Sequence, residues 1–142
     1  MRIAAFLFLV LLSTSCKRPT LTVESGYFTR KDLASYHVGT PDPNKLNPIF
    51  GQRLYITWNV TPQEFAQGPL ELHIMANLNK NGTIDKKVVL DKASGSYTFS
   101  IVGEDYTKKG GLLSYKVILL SDNKEIALSR HKFWVEELKF SE

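Results

Sequence analysis

At 142 residues, with 43% hydrophobic and 23% charged residues and a formal charge of +4, the chain has room for one globular domain. These proportions exclude wholesale disorder and a collagen-like or coiled-coil rod, and a single cysteine excludes an internal disulfide, so stability rests on packing. The cations are scattered, as in Lys17-Arg18, Arg30-Lys31, Lys86-Lys87 and Lys108-Lys109, which argues against nucleic acid as a partner, since that needs a dense phosphate-neutralising stripe.

The chain begins with a cation, Arg2, an apolar run over residues 3–12, and the small residues Ser13, Thr14 and Ser15. This is the three-part layout of an export signal, and the apolar run is shorter than the roughly 20 residues that a spanning helix needs. The only cysteine, Cys16, follows at once. The segment resembles a bacterial lipoprotein signal, although Ser13 stands where such signals usually place leucine and Leu12 lies one position further back. The resemblance implies removal of residues 1–15 and acylation of Cys16 with palmitate-type chains that hold the protein on a membrane. Lys17, where inner-membrane lipoproteins tend to carry aspartate, makes the outer membrane of a bacterial envelope the expected location. Ordinary secretion with a free thiol and an uncleaved anchor are the other readings of this segment.

Residues 16–32 show no sustained period and read as a tether. Residues 40–48 hold three of the six prolines and read as a turn-rich loop. Beyond it the period is two: Leu54, Ile56 and Trp58, then Leu70, Leu72, Ile74 and Ala76, then Tyr97, Phe99 and Ile101 alternate with polar residues or with side chains of the opposite face. Leu113, Tyr115, Val117 and Leu119 lie in a longer apolar run. Breaks at Thr61-Pro62, Gly68-Pro69, Asn81-Gly82, Ser94-Gly95, Gly110-Gly111 and Asp122-Asn123 divide these runs at regular intervals.

Strands are therefore expected at residues 34–39, 52–60, 69–77, 83–90, 96–102, 112–120 and 125–136. Near Arg130 the last of them should carry a bulge or break, because the apolar parity changes between Leu128 and Phe133. Seven strands predict an all-β protein, an antiparallel immunoglobulin-like or fibronectin-III-like sandwich over residues 33–138 with a short tail at 139–142. Leu54-Tyr55-Ile56-Thr57-Trp58 with Pro62 close behind, and Tyr115-Lys116-Val117, resemble patterns of fibronectin type III domains; the resemblance covers residues 46–136. The stretch from Leu33 to Pro43 is similar to uncharacterised lipoproteins of chlamydia-like bacteria, and implies no activity.

Asn77, Asn79, Asn81, Gly82, Thr83 and Asp85 imitate the start of a calcium-binding EF-hand loop, but Val88 stands where the bidentate glutamate belongs and only Asp85 is anionic. A hairpin on Asn81-Gly82 accounts for the same residues. His37, His73 and His131 lack metal-ligand spacing, so no metal and no cofactor is expected. Glu104 and Asp105 are adjacent in an expected loop, too close to flank a sugar. No nucleophile elbow is present, and Cys16 is assigned to lipid, so catalysis is not expected.

The remaining candidates for a contact surface are the aromatics Tyr36, Phe50 and Tyr55 with the loop residues Pro41, Asp42 and Pro43. The expected function is a lipid-anchored, non-catalytic binding or assembly module, attached to the membrane through Cys16 and contacting another envelope protein. The alternative is an envelope enzyme or carbohydrate-binding protein with a site built from loops.

Overall fold

The computed structural model describes residues 18–43, 50–80 and 82–135. The expected signal segment, Cys16 and the tail at 139–142 lie outside them. Seven strands run β1 Leu21–Phe28, β2 Gly51–Asn59, β3 Leu70–Leu78, β4 Thr83–Leu90, β5 Ser94–Val102, β6 Leu112–Ser121 and β7 Lys124–Arg130. They form two antiparallel sheets, ordered β1-β2-β5 and β4-β3-β6-β7. The fold is the all-β, seven-stranded sandwich that the alternation predicts. A constant-type immunoglobulin sandwich would keep the fourth strand beside the fifth; here it lies beside the third.

Strand period two explains the core. Leu54, Ile56 and Trp58 of β2, with Phe99 and Ile101 of β5, face Leu70, Leu72, Ile74 and Ala76 of β3 and Tyr115, Val117 and Leu119 of β6, and all are buried. Full burial of each large aliphatic side chain stabilises the fold by about 1.5–3 kcal/mol. Two polar contacts pin the sheets together. The amide of Leu112 donates to Gln52 Oε1 at 2.5 Å, and Trp58 Nε1 donates to the Lys92 carbonyl at 3.0 Å. Gly95 lets the Trp58 ring lie flat on β5, since a Cβ there would stand 2.7 Å from Cζ2.

Two expectations are corrected at the start of the domain. The expected tether contains β1, which pairs with β2 along its whole length from Leu21↔Trp58 to Phe28↔Gly51. The folded domain thus begins at residue 21 and not at 33. β1 escaped the pattern because it is an edge: Leu21 and Val23 are only half-buried, and Ser25-Gly26 then interrupts the apolar face. Conversely, the expected strand at 34–39 is a short helix, α1, Ala34–Val38, ended by Gly39 in the left-handed region at φ 70°. Its apparent alternation of Ala34, Tyr36 and Val38 faces solvent, with β1 already occupying the edge of the sheet.

Further along, Thr61-Pro62-Gln63-Glu64 is a capping box and opens helix α2, Pro62–Ala66: the Glu64 amide donates to Thr61 Oγ1 at 3.3 Å, and the Thr61 amide donates to Glu64 Oε2 at 2.8 Å. Glu104 and Asp105 lie in the first turn of a third helix, α3, Gly103–Lys109, where a loop was expected. Lys108 meets Glu104 at 2.8 Å and Lys109 meets Asp105 at 3.2 Å, one turn on in each case.

The calcium-like segment is a β3–β4 hairpin with Asn77 opposite Thr83, so its connection is longer than a two-residue turn. The two-residue turn belongs to the next hairpin, where Asp122 and Asn123 have φ of 49° and 61° and Ser121 pairs with Lys124. The expected break in the last strand is found: β7 ends at Arg130, and a bulge at Ile126 shifts its register against β6.

Candidate contact surface on the three-stranded sheet

The six surface residues expected from the sequence do not form one patch. Tyr55 points outward from the middle of β2 and is 45% exposed. Phe50 precedes β2 on the opposite parity, about 16 Å along the chain at strand rise, and is 57% exposed beside the start of α3, whose Gly103 amide donates to its carbonyl. Tyr36 projects from α1 with its ring edge against His37. Pro41 and Pro43 are exposed, while Asp42 is half-buried and accepts a 2.5 Å hydrogen bond from Ser35 Oγ, which folds the loop back on α1.

What the sheet does bring together is a different set. Glu24 of β1 lies opposite Tyr55, Gly26 opposite Arg53, and Thr98 of β5 on the other side of Tyr55. These residues and Ser25 line a cavity of about 400 Å³. Gly26 leaves a gap in the outer face, because nothing lies within 4 Å of the place a Cβ would take. Around it the face is paved with short hydroxyls and an amide: Thr22, Thr57, Asn59, Ser94, Ser96, Thr98 and Ser100 share the parity of Tyr55. The alternation marks Thr57, Asn59, Thr98 and Ser100 as facing away from the core, but their neighbours across strands depend on a register set by folding.

Arg53 is held in place from the side. Its guanidinium lies 2.5 Å from Asp32 Oδ1 and 5.8 Å from the centre of the Phe28 ring. Asp32 in turn accepts from the Thr29 amide at 2.8 Å and from Thr29 Oγ1 at 3.0 Å. The Thr29 hydrogen bonds, with Arg53 adding its charge, hold the Asp32 carboxyl below its ordinary value of 3.8.

A depressed carboxylate contributes stability that is present above its unfolded value and lost as the pH falls through its lower folded value. Acidification through that lowered value, beneath the ordinary 3.8, should therefore release the Thr29 cap and free Arg53. The Thr29 amide should then lose its protection from hydrogen exchange; Asp32→Asn should show that weakened protection already at neutral pH. Equal protection of this amide in both proteins at neutral pH would contradict the assignment.

A second cleft, of about 450 Å³, lies where β1 approaches β6 and the chain after β7, lined among others by Tyr27, Leu113, Tyr115, His131 and Phe133. The His131 ring stacks obliquely between Tyr115 and Phe133 at centroid distances of 5.5 and 5.4 Å. Burial raises the Tyr115 hydroxyl above its ordinary value, opposed by its hydrogen bond with Ser25. Their grouping is not visible in the sequence, because Tyr27 falls in the expected tether and Phe133 in the expected last strand.

The three histidines stay apart in role. His37 Nε2 donates to the Lys31 carbonyl at 2.7 Å, and His73 Nε2 meets Asp85 Oδ1 across strands at 2.7 Å. Among the described residues no three metal-binding side chains converge, and no helix is long and apolar enough to cross a membrane. Compared with protein-family models, curated proteins and solved structures, the chain matches none.

Proposed function

We propose that the protein is a lipid-anchored, non-catalytic binding module of a bacterial envelope, held by acyl chains on Cys16 and contacting another envelope protein through the Tyr55 face. The signal-like residues before Cys16 support the anchor, and Lys17 supports the outer membrane. The observation that carries the contact surface is Tyr55 itself: a tyrosine 45% exposed on a central strand, beside a fixed arginine, a glutamate and a gap. A rigidly mounted tyrosine offers large contact area at little cost in side-chain entropy, and arginine beside it is the usual companion in an interface centre.

The test is cross-linking of the full chain in bacterial membranes, followed by identification of discrete adducts. Tyr55→Ala should lower the yield of one adduct about tenfold or more. Thermal stability should stay within the small range typical of surface substitutions. Tyr36→Ala and Phe50→Ala, lying off this face, should leave that adduct in place. Wild-type yields of every adduct in Tyr55→Ala would overturn the assignment. Binding of Tyr55-dependent purified envelope glycan, with no protein adduct, would replace the protein partner by a carbohydrate.

A further inference from the structure

The two sheets have four edges, and three of them are guarded. β4 carries Asp85, Lys86 and Lys87. β7 carries Lys124, Glu125 and Arg130 and is bent by its bulge. β1 carries Glu24 in mid-strand. Charges and bulges of this kind keep an open edge from pairing with another chain.

β5 has neither. Its sequence from Ser94 to Val102 contains no charge and no proline, and it runs in unbroken register with β2 for all 9 residues. Among the described residues it pairs on that side only. Lys86 of β4 lies 5.6 Å from the centre of the Tyr97 ring, engaged with its π face.

We infer that β5 is a pairing edge and that its occupant is β5 of a second copy, joined antiparallel across a two-fold axis at Thr98. The sequence is self-complementary in that register. Thr98 meets Thr98 of the copy, Ser96 meets Ser100, Tyr97 meets Phe99, and Gly95 meets Ile101. Hydroxyl pairs thus share the outer face and aromatic pairs the inner one, both favourable cross-strand combinations, and no like charges are opposed. Centring on Thr98 also pairs the whole strand, whereas any shifted register leaves ends unpaired. The two three-stranded sheets become one six-stranded sheet, with both Tyr55 faces on the same side. This association goes beyond the proposed partner contact and does not depend on acylation.

Cysteine cross-linking of the full-length Cys16→Ser chain, which removes the only native thiol, tests it. At the axis the two Cα atoms would be about 4.5–5.5 Å apart, within disulfide range. Thr98→Cys should form a disulfide dimer rapidly on mild oxidation, while Val89→Cys on β4 and Thr57→Cys on β2 should not. Sedimentation should show a concentration-dependent dimer. Thr98→Lys, which opposes two like charges, should raise its Kd at least about tenfold without changing the melting temperature measured at dilutions where the protein is monomeric. Ser96→Lys, which faces Ser100 of the copy and opposes no like charge, still puts a charge on the edge and should weaken the dimer less, which separates loss of pairing from a folding defect. A monomer at all concentrations, a dimer indifferent to both lysines, or Thr98→Cys linking no faster than Val89→Cys would overturn the inference; so would exclusive linkage of Thr98→Cys to a different protein.

Discussion

Replacing Trp58 by alanine is expected to destabilise the domain by about 3–5 kcal/mol, the usual cost of deleting a core aromatic. The residue is 8% exposed, its ring lies on Gly95 and against the facing sheet, and its indole nitrogen holds the Lys92 carbonyl at the turn between β4 and β5. Truncation therefore opens a cavity and also leaves a part-buried carbonyl without its donor. Domains of this size have about 5–15 kcal/mol in total, so the variant should lie near the edge of folding. Trp58→Phe keeps most of the packing and loses the hydrogen bond, and should cost about 1–2 kcal/mol. Urea denaturation monitored by circular dichroism measures both. A Trp58→Ala unfolding free energy within about 0.5 kcal/mol of wild type would contradict the placement of this ring in the core.

Trp58 also shows why so much of the sandwich could be read from the chain. It continues the alternation of Leu54 and Ile56, and a strand buried on one face writes that alternation into the sequence wherever its face is apolar throughout. β2, β3, β5 and β6 largely satisfy this condition, and their ends differ from expectation by at most two residues. β1 does not, because its inward positions pass from Leu21 and Val23 to Ser25 at an open flank of the sandwich. The five residues of α1 are too few for a helical period to outweigh a chance alternation, and only Gly39 and Pro41 marked its end. The capping box of α2 is legible at Thr61 and Glu64, although the Thr61-Pro62 pair alone signals only a strand break.

The candidate surface was legible in part for a different reason. Exposure of Tyr55 follows from its parity with Thr57 and Arg53, all within β2. Its setting does not, since Glu24, Gly26 and Thr98 come from strands whose register with β2 is fixed by packing across long connections. The expected grouping of Tyr55 with Phe50 rested on nearness in sequence. In a strand, five residues span about 16 Å and an odd number of steps reverses the side chain.

The largest expected effect on function belongs to Cys16→Ser. The chain has one cysteine, it follows the small residues that end the signal-like segment, and no second anchor is proposed. Each acyl chain contributes about 0.8 kcal/mol per buried methylene, so a single chain gives reversible attachment and two or three give a durable one. Loss of the acceptor sulfur should remove all of it at once, while the sandwich, which begins at Leu21, keeps its stability. The decisive measurement expresses wild type and Cys16→Ser in bacteria with labelled palmitate, then compares label and membrane fractionation. Wild type should be labelled and in the outer-membrane fraction, and the Cys16→Ser protein unlabelled and lost from it. Equal labelling and equal membrane recovery of the two proteins would contradict lipid anchoring at Cys16.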